Sequence, residues 1–310
     1  MRFEDAISAI GETPLVGLPH LSPEGCRLYA KLEGQNPTGS VKDRIAKQMI
    51  QDAERSGPLA DDRILLEPSS GNTGISMAMI CRLKGISLEI VMPESVSIER
   101  RRMLEMYGGT VHLSPGDQGT NGAIRVATEM AEANPKYLML NQYENLANPA
   151  AHENGTAEEI IRDLPELDMF VAGLGTGGTL TGVGHRLKRH DPNIRVIAAE
   201  PPAGDLVQGL RSLDEGYIPP VLDPSVIDRK FIVNSRDAFA ATRALFEREG
   251  VFAGISSGAA LHVAIRAIKT VGSKVCVVLL ADGGWKYLST GVHTEDPEKV
   301  EKDMEGQIWW

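Results

Sequence analysis

Met169-Phe-Val-Ala-Gly-Leu-Gly-Thr-Gly-Gly-Thr179 is an apolar run that passes straight into a glycine-rich turn, and a helical period follows it. The same unit recurs along the chain. Leu28–Leu32 leads through a Gly/Asn/Pro turn to a helix carrying Ile45, Met49 and Ile50. Ile64–Leu66 leads through Ser69-Ser-Gly-Asn-Thr-Gly74 to a helix carrying Ile75 and Met79. Leu88–Met92 precedes a helix near 98–107, and Thr110–Leu113 precedes one over about 120–133. Val196–Ala199 and Val275–Leu280 are further apolar runs. Strands alternating with helices predict α/β architecture, with mostly parallel sheets covered on both faces. Such sheets bind ligands beyond the carboxyl ends of their strands. The glycine-rich turns stand at those ends, so they are expected to converge on one cleft.

Composition sets the outer limits. The chain has 310 residues, 32 basic and 42 acidic, for a formal charge of −10. That length suits roughly two domains of about 150 residues. An acidic chain argues against nucleic acid or an anionic membrane surface as partner. The longest aliphatic run, Val275–Ala281, is far short of the ~20 residues of a spanning helix. The first ten residues show no basic segment followed by an apolar core, so no export signal is expected. Cys26, Cys81 and Cys276 are far apart and form no CxxC pair, and the seven histidines form no HExxH spacing. Disulfide scaffolds and metal centres therefore have no support, and a reducing cytosol is the expected compartment.

Five turns carry chemistry. Gly175, Thr176, Gly177, Gly178 and Thr179 open a helix, whose free N–H groups and positive dipole end suit a phosphate. Read with Gly173, the segment also matches GxGxxG, and Glu200 closes the next strand where a ribose-binding acid would stand. A tight turn with no ligand is the plain alternative. In Asn36-Pro-Thr-Gly-Ser-Val-Lys-Asp-Arg44, Ser40 is a natural N-cap, which places Lys42 one turn into a helix. An ammonium there opposes the dipole, so its pKa falls and the amine becomes a better nucleophile toward an aldehyde. Ser69, Ser70, Gly71, Asn72 and Thr73 offer hydroxyls, an amide and backbone N–H groups suited to a carboxylate, or simply a well-capped helix. Ser256, in Gly254-Ile-Ser-Ser-Gly-Ala259, opens another helix, and Gln142 stands in a polar turn.

Taken together these segments resemble fold-type II pyridoxal-phosphate enzymes, and within them the cysteine synthase family. Thr13-Pro-Leu-Val16, NPTGSVKDR, EPSSGNTG, Met92-Pro-Glu94 to Arg100-Arg101, Asn148-Pro149, GTGGTLTGVG, GISSGAA and Tyr287-Leu-Ser-Thr290 follow that family's order over essentially the whole chain. The resemblance leaves no stretch for an added regulatory domain. It implies a tryptophan synthase β-like fold of two domains, each a twisted, mostly parallel sheet under helices. Residues 1–45 with 149–310 would form the large domain and 46–148 a small mobile one. It implies that Lys42 forms the Schiff base with pyridoxal 5'-phosphate, that Gly175 to Thr179 hold its phosphate, that Asn72 meets the ring hydroxyl and that Ser256 faces the pyridine nitrogen. Ser69, Ser70, Gly71, Thr73 and Gln142 would bind the substrate carboxylate. The implied reaction is β-replacement on an O-activated serine through an aminoacrylate. A cystathionine β-synthase or a serine/threonine dehydratase would share this cofactor site. A nicotinamide-dependent dehydrogenase leaves Lys42 and the Ser69–Gly74 loop unexplained, and a non-enzymatic scaffold leaves the intact cofactor residues unexplained.

Gln208-Gly-Leu-Arg211-Ser212 resembles the B-type branch, and Asp282-Gly-Gly-Trp-Lys-Tyr287 with Glu305-Gly-Gln-Ile-Trp-Trp310 resembles its actinobacterial O-phosphoserine-using members. Arg211 would grip a phosphate, which favours O-phosphoserine over O-acetylserine. Sulfide, thiosulfate or a thiocarboxylated carrier protein would supply sulfur, and a homodimer is implied. Trp309 and Trp310 end a polar stretch, and two indoles left in water forfeit burial. A docking site is therefore expected, in the domain cleft, the dimer interface or a partner protein; the resemblance of the ending, and of its terminal carboxylate to a substrate's, favours the mouth of the active site, which it would gate.

Overall fold

The computed structural model describes residues 2–57, 59, 62–69, 71–94, 96, 98–205 and 207–304. The expected tail docking at 305–310 and the expected contact at Ser70 lie outside the described residues. In chain order the strands are β1 (Leu15–Gly17), β2 (Arg27–Leu32), β3 (Ile64–Pro68), β4 (Ser87–Pro93), β5 (Thr110–Ser114), β6 (Tyr137–Met139), β7 (Met169–Gly173), β8 (Arg195–Glu200), β9 (Arg229–Ile232) and β10 (Val275–Leu280). The helices are α1 (Lys42–Arg55), α2 (Asn72–Lys84), α3 (Ile98–Met106), α4 (Gly119–Ala133), α5 (Ala147–Ala151), α6 (Ala157–Asp163), α7 (Gly178–His190), α8 (Ser235–Glu249), α9 (Ile255–Val271) and α10 (Pro297–Met304).

Two sheets form. One runs β1-β2-β10-β7-β8-β9, with β1 antiparallel to β2 and the other pairs parallel. The other runs β5-β4-β3-β6 and is parallel throughout. Parallel strands need helical crossovers, which cover both faces and make the strands apolar throughout. β10 shows this, being buried at every position. α8 and α9 bury Phe239, Leu245, Ile255 and Leu261 on one face of the larger sheet. α7 buries Leu180, Val183 and Leu187 on the other. α1 and α2 bury Ile45, Met49, Ile75 and Ile80 against the smaller sheet, and α4 covers its far face with Ala123 and Ala127. No helix among the described residues is long and apolar enough to cross a membrane.

One local expectation is corrected. α1 begins at Lys42, not Ser40, so Lys42 is its first residue rather than one turn in. Ser40 is held out of the helix because its backbone pairs antiparallel with Asp282 and the Val41 N–H donates to the Ala281 carbonyl at 2.8 Å. The Ser40 hydroxyl still accepts from the Lys42 N–H at 3.2 Å. The turn before it closes through the Gly39 N–H to Asn36, with Gly39 at φ +80, a conformation that favours glycine. Asp43 then ties α1 to α2, accepting from the hydroxyls of Thr38 and Ser76.

A buried ionic group locks α1 from behind. Arg44 Nε donates to Glu33 Oε2 at 2.7 Å and its Nη1 to Glu159 Oε1 at 2.6 Å. Lys31, fully buried, donates to Glu159 Oε2 at 2.7 Å and to the Thr13 carbonyl at 2.6 Å. Two cations face two carboxylates, so the charges balance where water cannot screen them. Burial alone would raise the Glu159 carboxyl. Hydrogen bonds and charge from Arg44 and Lys31 instead hold it at about 2.

Candidate active site

The carboxyl ends of β3, β7 and β10 open on one cleft, the place where such sheets bind ligands. Lys42 stands on its wall, with Ser69, Gly71, Asn72, Thr73, Gln142, Gly175, Thr176, Arg211 and Ser256. A connected recess adds Gly177 and Thr179. The structure thus brings together the sequence-predicted residues that it describes, except Gly178. That glycine lies behind the wall, where an added Cβ would collide with the Asn148 side chain.

Lys42 is partly solvent-accessible at the junction of cleft and recess. Its pKa is lowered to about 8. Burial is the main cause, and Asp282 opposes it. Burial thus lowers this pKa in the direction expected for a nucleophilic amine.

Two glycines shape the turn after β7. Gly177 has φ +87, and an added Cβ on Gly175 would sit 2.9 Å from the Gly209 carbonyl. Glycine fits both positions, where a Cβ would meet the Gly209 carbonyl and Leu222, and the start of α7 follows directly. The Thr176 hydroxyl accepts from Asn148 Nδ2 at 3.0 Å. The Thr179 hydroxyl lies 3.2 Å from His152 Nε2, and His152 Nδ1 lies 3.0 Å from the Thr156 hydroxyl. Burial, followed by the nearby Lys42 and Arg44 charges, keeps the His152 pKa well below its ordinary value. His152 begins a π-helical turn to Thr156, an irregularity often found at functional sites.

At the start of α2 the Ser69 hydroxyl accepts from the Gly74 N–H at 3.0 Å, so it caps the helix from within the cleft. The Thr73 hydroxyl donates to Gln142 Oε1 at 2.7 Å. Gln142 is placed by Glu67, whose oxygens accept from the Asn141 and Gln142 N–H groups, each at 2.9 Å. Asn141 adopts φ +52, and the Glu67 carboxylate holds that turn. Burial pushes the Glu67 carboxyl up to about 7, against those two hydrogen bonds.

Arg211 lies between two tyrosines. Its guanidinium is 4.9 Å from the Tyr217 ring centroid and 5.6 Å from that of Tyr143. The two rings meet edge to face at 6.0 Å. Aromatic faces attract a cation and limit its rotamers. Glu200, read earlier as a possible ribose acid, is fully buried. It accepts from the Leu213 N–H at 2.7 Å and pairs with Lys230 at 2.8 Å.

Sequence reasoning missed several residues here. Tyr143, Arg100 and Tyr287 line the cleft. Glu67, Asp282 and Lys286 orient side chains that do. Arg100 and the 282–287 segment carry only a family resemblance in the sequence, with no local sign of a role in the cleft. Tyr143 adjoins Gln142, but nothing local marks it as facing an arginine 68 residues later, at 211.

Residues 7–282 match the family described as "Pyridoxal-phosphate dependent enzyme". A cysteine synthase of Staphylococcus aureus is 42% identical over 298 residues, covering 93% of this chain and 96% of that one. A hydrogen sulfide-producing enzyme from Fusobacterium nucleatum is 39% identical with TM-score 0.88, covering 92% of this chain and 100% of that one. A cysteine synthase from Entamoeba histolytica is 31% identical with TM-score 0.89, covering 97% and 95%.

Proposed function

The chain belongs to the pyridoxal-phosphate-dependent enzymes, and from that membership we propose that it is a cysteine synthase making L-cysteine by β-replacement on an O-activated serine. Its cofactor is pyridoxal 5'-phosphate, and the described residues fit that group. The glycine cradle at 175–179 suits the phosphate, Lys42 the aldehyde, Asn72 the ring hydroxyl and Ser256 the ring nitrogen. When bound, the cofactor withdraws electrons from the substrate's α-carbon.

The chain's own residues do the rest. Ser69, Gly71, Thr73 and Gln142 hold the substrate carboxylate at the start of α2. Lys42 Nζ takes the α-proton as general base. Ser256 offers the ring nitrogen a neutral hydroxyl, a weaker partner than a carboxylate. That choice favours prompt loss of the β-substituent over a long-lived carbanion. Residues 46–148 would close over residues 1–45 and 149–310 to exclude water. The separate six- and four-stranded sheets with the cleft between them support this division. The proposal extends to a cytoplasmic homodimer, with sulfide, thiosulfate or a thiocarboxylated carrier protein as sulfur donor, on the resemblance alone.

Arg211 carries the choice of leaving group. Arg211 lines the same cleft as Lys42, and its guanidinium packs against Tyr143 and Tyr217. A guanidinium matches a phosphate in charge and geometry and gains little from an acetyl ester. O-Phosphoserine is therefore the preferred substrate. A charge-assisted hydrogen bond is worth roughly 1.5–3 kcal/mol, or about 10- to 150-fold. Arg211→Ala should lose that factor in kcat/KM for O-phosphoserine and leave O-acetylserine nearly unchanged. Equal losses on both substrates would show that Arg211 serves the fold.

Cofactor loading has a pH signature. Only neutral Lys42 condenses with the aldehyde. A pKa near 8 leaves about one lysine in ten neutral at pH 7, against fewer than about one in a thousand for an ordinary lysine. Stripped protein should couple to added pyridoxal phosphate faster as pH rises and level off above about 8. A rate still climbing tenfold per unit beyond about pH 9 would contradict the lowered pKa.

A further inference from the structure

Asn72 is gripped on both polar atoms by residues from the far side of the cleft. Its Nδ2 donates to Asp282 Oδ2 at 2.8 Å. Its Oδ1 accepts from Lys286 Nζ at 2.6 Å. Asp282 Oδ2 also accepts from the Tyr287 hydroxyl at 2.8 Å, and Lys286 donates to the Gly39 carbonyl at 3.4 Å. Asp282 is 2% exposed and Lys286 8%. The carboxylate is wedged in place, since an added Cβ on Gly254 would collide with Asp282 Oδ1. That second oxygen has no hydrogen-bond partner. Burying a carboxylate and an ammonium, with one oxygen unsatisfied, is costly. Neutral side chains would join α2 to the β10 loop at lower cost, so the charges call for another reason.

The reason lies in what each charge permits. A carboxylate only accepts and an ammonium only donates. Between them the Asn72 amide has one permitted orientation, nitrogen toward Asp282 and oxygen toward Lys286. The amide nitrogen carries two hydrogens, and Asp282 takes one. Asn72 also lines the cleft that holds Lys42. We infer that Asp282 and Lys286 are positioning residues that commit the second Asn72 N–H to the ring hydroxyl oxygen of the bound cofactor. This rests on the reading of Asn72 as the ring-hydroxyl contact. A fixed donor there favours the anionic ring oxygen. A flipped amide would present its own oxygen instead and favour the protonated hydroxyl.

The test uses the full chain saturated with pyridoxal phosphate, read by its absorbance spectrum. Cofactor Kd and the melting temperature of the stripped protein are measured alongside. Asp282→Asn and Lys286→Met should each increase the short-wavelength band of the hydroxyl-protonated cofactor at fixed pH. Each should weaken cofactor binding by about 2- to 13-fold, the effect of losing one hydrogen bond. Lys286→Arg, which keeps a donor, should restore the wild-type spectrum. A linkage that only stabilises the fold would lower the melting temperature and leave the saturated spectrum alone, and that result overturns the inference. If Asp282→Asn does not fold, the Lys286→Met and Lys286→Arg pair decides by the same spectral criterion. Asn72→Leu separates the two levels. A changed spectrum in Asn72→Leu with wild-type spectra in both neighbours refutes the positioning role alone. An unchanged spectrum in Asn72→Leu refutes the Asn72 reading and the inference with it.

Discussion

Lys42→Ala is expected to abolish covalent attachment of the cofactor and to lower cysteine formation by at least about 10³-fold. One amine is assigned both the covalent link and the α-proton transfer, and positioned general bases alone contribute about 10²- to 10⁴-fold. The variant should fold normally, because Lys42 makes no ion pair in the buried group behind it, where Arg44 does that work. Borohydride reduction of the loaded wild-type protein should fix the label on the peptide bearing Lys42. Lys286 is the informative competitor. It too is buried, within hydrogen-bond reach of Asn72, and burial lowers its pKa, but Asn72 and Gly39 occupy its ammonium. A label on Lys286 would reassign the covalent residue.

Arg44→Met is expected to cost about 3–5 kcal/mol of folding stability, the usual effect of removing one partner from a buried ionic group. Glu33 would lose its bidentate partner, and Glu159 would keep Lys31 and the Glu12 N–H. The pH dependence gives a second handle. The Glu159 carboxyl falls from an ordinary 4.5 to about 2 on folding. A depressed carboxylate stabilises the fold above its unfolded pKa, and that stability is lost as pH falls through the folded one. The wild type should therefore lose about 3 kcal/mol from this group between about pH 4.5 and 2. In Arg44→Met that acid-labile part should shrink, measured by urea unfolding across this range. A variant within about 1 kcal/mol of wild type would show that the group is not a structural lock.

Much of this site could be read from the chain because its parts are local. The 175–179 cradle, the Ser69–Gly74 loop and the Lys42 turn each lie where a strand hands over to a helix, and each carries its glycines and hydroxyls within a few residues. The parallel sheets followed from continuous apolar runs such as Val275–Leu280, buried at every position. Short edge strands were another matter. β1 and β9 have mostly exposed residues, so no alternation or apolar run marks them. Ser40 reads as a cap, yet pairing with Asp282, 242 positions away, keeps it extended. The same distance hides the clamp on Asn72, whose partners stand 210 and 214 residues downstream. Glu67 looks like a strand-end acid until its contacts with Asn141 and Gln142 are seen. Roles set by such contacts have no local signature. The two tyrosines around Arg211 belong to the same class, since 143 and 217 meet only in the folded chain.

Substrate choice is decisive for this enzyme. The measurement is kcat/KM for cysteine formation from O-phosphoserine, O-acetylserine and serine, with sulfide and saturating pyridoxal phosphate. Cysteine should form from both activated serines, with O-phosphoserine ahead by about 10-fold or more, the factor assigned to the Arg211 contact, and serine far behind. Serine used as well as either activated substrate, or no cysteine from any of the three, would contradict it.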